Sequence, residues 1–144
     1  MMVLGAKPVI ATSRSAAKIA RLAEYSVDLA IDTSREKQLE AVPDDAQVHA
    51  LLGLSLAYLG RKAEAIRVAE RAVGLLPTSR DAHLGPYIRH QLVRVYILVG
   101  ESEKALDMLE PLLKIPYHLT PEWLGIDPDF DPLRHSSRFK NLLE

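Results

Sequence analysis

Five histidines, His49, His83, His90, His118 and His135, are the side chains of this sequence best suited to hold a metal or carry a proton. A helix-borne metal site needs two ligands on one face, and only His83 and His90, seven positions apart, approach that spacing. Pro86 lies between them and argues against a continuous helix there, and no third ligand is placed to complete a site. Asp127, Asp129 and Asp131 alternate as the first ligands of a calcium loop do. Such a loop also requires a glycine next and a bidentate glutamate at its far end. Pro132 stands in the glycine's place and no glutamate follows before Glu144, so turns and helix caps account for the aspartates better. Ser136 and Ser137 follow His135, yet no G-x-S-x-G turn presents either hydroxyl and no third group orients the imidazole. Asp44 with Asp45, and Glu101 with Glu103, fall at helix starts, where negative charge offsets the helix dipole. No catalytic constellation emerges. The chain reads as a non-enzyme that needs neither metal nor cofactor.

Composition narrows the class of partner. The 144 residues suit one domain or two very small ones, and 48% apolar with 26% charged residues fits a chain that folds in water. The formal charge is -1, from 18 basic and 19 acidic side chains, with no basic stripe to gather a polyanion, so nucleic acid is not an expected partner. The absence of cysteine removes disulfides and thiolate chemistry and fits a reducing compartment. No apolar run approaches the roughly 18 residues of a spanning helix, and the start Met1-Met2-Val3-Leu4-Gly5 has no secretory hydrophobic region. A cytoplasmic protein that does not engage a membrane is the expectation.

The elements that must position these residues fall into three zones. Seven of the nine prolines lie at or after Pro77, and none lies between Ala46 and Leu76, which predicts long helices in the middle and a turn-rich tail. The zones are 1–42, 43–119 and 120–144. Within the middle zone, Leu52 to Ile66 aligns with Leu92 to Leu106 at a shift of 40, with Leu, Gly and Ala coinciding. Each unit, about 46–79 and 86–119, predicts an apolar helix, a glycine, a short polar turn and an amphipathic second helix. Gly60 and Gly100 stand where a chain reversal needs a left-handed residue, and Ala65 and Ala105 are small where the second helix must approach the first.

The residues Leu52, Gly53, Gly60, Ala65, Ala72 and Pro77, repeated in part as Leu92, Tyr96, Gly100, Ala105 and Leu112, resemble the tetratricopeptide repeat family. His49 and Arg89 stand where that family usually has tryptophan, and Leu56 where it has tyrosine. Its period of about 34 requires an insertion of roughly six residues within Thr78 to Gly85. The resemblance implies a mainly α fold of antiparallel helical hairpins, TPR-like over 46–144, in which the first helices line a concave groove. It places Gln47, Ala50, Leu54 and Tyr58 of the first unit, and Tyr87, His90, Arg94 and Ile97 of the second, toward that groove. There the tyrosines would give rigid contact area, Arg94 a fork for a carboxylate, and His90 a donor whose charge changes near neutral pH. The partner implied is a protein or peptide segment, or a second copy of the chain in a homo-oligomer. Two units fall short of the three that usually make a stable array, so residues 1–42, the tail or another subunit must cover the bare side of the first.

The tail, with Thr120 as N-cap, Pro121 in the first turn and Glu122 after it, resembles the segment that closes tetratricopeptide arrays in bacterial signalling proteins. Trp123, Leu124, Phe130, Leu133, Phe139 and Leu142 would cover the end of the stack. The first zone predicts a short strand at Val9–Ala11, a helix through Ala16, Ile19, Ala20 and Ala23, and a second strand through Val27, Leu29 and Ile31. Residues 5–42 resemble a β-α-β fragment of the cofactor domain of medium-chain dehydrogenases and quinone oxidoreductases, which would put Thr12 to Arg14 beside an adenosine ribose. The G-x-G-x-x-G turn that binds the pyrophosphate is not in the sequence, and Ser26 replaces the glycine before the third strand, so the segment reads as a remnant acting as a cap. A degenerate helical pair over Ala16–Ala30 is the alternative fold for this zone. The functions carried forward are an interaction scaffold, a dinucleotide-dependent oxidoreductase fragment, and the sensory end of a larger bacterial signalling protein.

Overall fold

The computed structural model describes Ile10–Ser13, Leu29–Asp32 and residues 42–144. The chain divides into two compact units, Met1–Pro43 and Asp44–Glu144. In the first, β1 (Ile10–Ser13) and β2 (Leu29–Asp32) pair in parallel, with Ile10 opposite Leu29 and Ser13 opposite Asp32. The helix expected through Ala16 to Ala23, and most of the alternative helical pair over Ala16–Ala30, lie outside the described residues.

The second unit is mainly helical: α1 (Ala46–Tyr58), α2 (Lys62–Leu75), α3 (Leu84–Leu98), α4 (Ser102–Leu112), α5 (Pro121–Ile126), a 3₁₀ helix (Pro128–Leu133) and α6 (Ser137–Asn141). Local chemistry explains the ends. Asp45 caps α1, its carboxylate accepting from the Gln47 and Val48 N–H groups at 2.9 and 3.0 Å. Gly60 and Gly100 take φ of 76° and 80°. At both, the same pair of bonds closes the preceding helix: Gly60 N–H to Ala57 O with Arg61 N–H to Leu56 O, and Gly100 N–H to Ile97 O with Glu101 N–H to Tyr96 O. This doubled bond satisfies carbonyls the helix end would otherwise orphan, and it needs a left-handed residue.

In α2 the buried residues Ala65, Val68, Ala69 and Ala72 form one stripe at helical spacing. That stripe packs on α1, and a Cβ at Gly53 would lie only 2.8 Å from the Ala69 Cβ, so the two helices meet through their smallest residues. At the matching point of the second pair stand Val93 and Leu109, both fully buried. Helix α3 touches α1, α2, α4 and the 3₁₀ helix, and its buried residues accordingly run round its whole circumference.

One expectation changes here. Pro86 does not interrupt a helix, because α3 begins at Leu84 and the proline falls in the first turn, where its missing N–H has no intrahelical acceptor to lose. The segment before α3, which holds the expected insertion, is a compact turn. Arg80 and Asp81 N–H groups bond back to Pro77 O, and the Asp81 carboxylate accepts from His83 and Leu84 N–H at 2.8 Å each. Those backbone donors hold the Asp81 carboxyl below the usual carboxylate range. The turn presses onto Gly85, where a Cβ would lie 2.6 Å from Thr78 Cα.

Candidate functional site

On α1, Gln47 is exposed, while Leu54 and Tyr58 are half-buried. Tyr87 on α3 is half-buried against the cluster of Ala46, Ala50, Ala72 and Ile88, which ties it to the interior of the first helix pair. The remaining three candidates lie differently. His90 is 8% and Ile97 6% exposed, and Arg94 is largely covered.

What covers His90 and Arg94 is the chain's own segment after α4. His90 Nδ1 lies 3.1 Å from the Tyr117 hydroxyl, and its ring is parallel to that of Phe130 with centroids 6.3 Å apart. The rings of Tyr117 and His118 approach the same imidazole at 5.9 and 5.6 Å. One turn along, Arg94 Nε meets Asp129 Oδ2 at 2.9 Å, and its Nη1 donates to Gln91 Oε1 at 3.1 Å. The carboxylate for which Arg94 offers a fork is therefore supplied within the chain. His90 also differs from its expected role. Burial first, then the neighbouring Arg94 and His118 charges, push its pKa down to about 4, against a smaller opposing pull from Asp127. In this position it is a neutral ring at pH 7, and its Nε2 is buried with no hydrogen-bond partner among the described residues. Burial likewise pushes the Tyr117 phenol up to about 12.

The tail is fastened at several other points. Leu119, Leu124, Phe130, Leu133 and Phe139 are buried, and the Phe130 and Phe139 rings stack at 6.2 Å. Arg138 on α6 reaches three acids of α4: Glu110 at 2.6 Å, Asp107 at 2.8 Å and Glu103 at 3.1 Å. Its guanidinium holds the Glu110 carboxyl below the usual range. Thr120 caps α5 by accepting from the Trp123 N–H at 3.2 Å. Trp123 itself does not join the cover over the stack. It is 45% exposed, its indole N–H donating to Asp127 Oδ2 at 3.0 Å, and Leu142 is only half-buried. A six-residue helix buries one narrow line, here Leu124, and Trp123 falls off it.

The chemical constellations of the sequence resolve into structural contacts. Asp127, Asp129 and Asp131 diverge: Asp127 caps the 3₁₀ helix through Asp129 N–H, Asp129 pairs with Arg94, and Asp131 with Arg134 at 2.6 Å. Ser136 caps α6 by accepting from Phe139 N–H at 3.3 Å. Glu101 pairs with Lys62 at 2.7 Å, tying the two glycine turns together. His49 Nδ1 donates to Asp45 O at 2.8 Å, which leaves Nε2 to accept from Arg71 Nε at 3.2 Å. No group of three His, Cys, Asp or Glu able to hold a metal exists among the described residues, and no described helix is long and apolar enough to cross a membrane. Comparison with protein-family models, with curated proteins and with solved structures finds no match to this chain.

Proposed function

We propose that residues 46–144 are a tetratricopeptide-like interaction module that binds a protein segment, or a second copy of the chain, without catalysis and in the cytoplasm. The observation that carries this reading is the identical glycine turn closing α1 and α3, each followed by an amphipathic helix whose first buried residue is an alanine, Ala65 or Ala105. Two hairpins of one design are what the tetratricopeptide resemblance implies, and the turn before α3 accounts for an offset of 40 residues in place of about 34. With His90 and Arg94 engaged by the tail, and Ile97 buried, the contact residues of the groove narrow to Gln47, Leu54, Tyr58 and Tyr87. Tyrosines on a rigid helix suit this role, giving contact area at low entropic cost.

A photo-crosslinking side chain at Tyr58 is expected to capture one partner, or a second copy, and a Leu54→Asp change is expected to abolish that product. The same probe at Arg67, exposed on α2, is the control. Equal capture from both positions, or capture indifferent to Leu54, sinks the reading. Light scattering against concentration separates the two partners, a strict monomer removing self-association. The parallel pair β1–β2 keeps the second reading, a dinucleotide-dependent oxidoreductase fragment, in play, because a β-α-β unit of a cofactor domain requires such a pair. Absence of NADPH fluorescence enhancement or thermal shift ends it. The third reading, the sensory end of a larger bacterial signalling protein, is met by an in-frame kinase or cyclase upstream of Met1.

A further inference from the structure

The segment that leaves α4 lies over α3, and its far end is held to α4 again through Arg138, so it spans α3 between two fixed points. Its seat contains one costly feature. His90 is buried, and whichever ring nitrogen carries the proton, Nε2 has no partner. A proton added there would make a cation with an unmet N–H donor beside Arg94 and His118. The groups of opposite sign that face it are committed. Asp129 is paired with Arg94, and the two carboxylate oxygens of Asp127 accept from Asp129 N–H and from the Trp123 indole. Tyr117, on the remaining side, is a neutral phenol.

We infer that residues 117–133 form an acid-sensitive strap over α3, loosened by protonation of His90. When the strap lifts, His90 meets water and takes its proton near the ordinary value of 6.5, whereas under the strap it does so only at about 4. The closed state thus binds fewer protons. Closure is complete above 6.5 and weakens about tenfold per pH unit as pH falls from there toward about 4. Most of this window lies above the ordinary carboxylate range, so the acids do not share it. Lifting uncovers His90 and Arg94 on α3, and the strap operates whatever the groove binds.

Hydrogen exchange on the full chain, corrected for the intrinsic rate, reads the opening of 117–133 directly. The opening constant is expected to rise about thirtyfold from about pH 7.5 to about pH 5, while α2 keeps its protection. In His90→Phe, which keeps a ring to stack on Phe130 but carries no proton, the rise is expected to vanish, and in His118→Gln it is expected to persist. An equal rise in His90→Phe overturns the inference. Should that variant not fold, a proton-NMR titration of the wild-type imidazole decides: titration well below 6.5 supports the strap, and titration at or above 6.5 with the segment in place overturns it.

Discussion

Two kinds of glycine do different work in this chain, and substituting each tests a different physical cause. Gly60 and Gly100 have open space around a would-be Cβ, so alanine there meets only the left-handed backbone penalty, about 1 kcal/mol at each. Gly53 is helical and sits against Ala69 Cβ at 2.8 Å and Ala65 O at 3.2 Å, neither of which is the flexible end of a long side chain. Gly53→Ala is therefore expected to cost more, roughly 1–3 kcal/mol, by forcing α1 and α2 apart. Urea melts of the three variants check this order, and a Gly53→Ala melt matching wild type refutes the close packing. The turn glycines and the Thr120 cap were legible in the sequence because their partners lie within a few residues. His90 and Arg94 were not: their partners Tyr117 and Asp129 come from a segment some thirty residues further on, and nothing local marks a histidine as the one that will be covered.

At the level of elements, α6 is too short to hold itself in place, and Arg138 with its three acids supplies the fastening to α4 together with buried Phe139. Arg138→Ala is expected to lower amide protection in residues 133–142 while leaving α1 and α2 unchanged. High salt is expected to reproduce part of that loss in wild type and to add little in the variant. Equal protection with and without the guanidinium contradicts the assignment. The sign of the acid dependence follows from Glu110. Its carboxyl is held low by Arg138, so this contribution is present above the ordinary carboxylate value of 4.5 and fades as pH falls through the lowered one. The long helices could be read from periodicity, since α2 and α4 each carry one apolar stripe. In the tail, α5 offers too few turns for a stripe to appear, which is why Trp123 looked like a core residue and is largely exposed.

Across the whole molecule, the fastening of the tail onto α3 and α4 is a tertiary fact that no window of sequence contains. That fastening makes the tail part of the helical unit's core. The single tryptophan lies in the tail, so its emission and the far-ultraviolet dichroism of the helices report on separate elements. In urea at neutral pH the two transitions are expected to coincide, the mark of one cooperative unit. A tail transition at lower urea would show instead that the segment detaches first. The compact turn between the hairpins has a further, mechanical consequence. Seated backbone to backbone on Gly85, it is a joint without play, so the residues that lengthen this period beyond the common one are not slack. Trimming about six of them to match the usual period would remove the seat at Gly85 that fixes where α3 starts against α1 and α2.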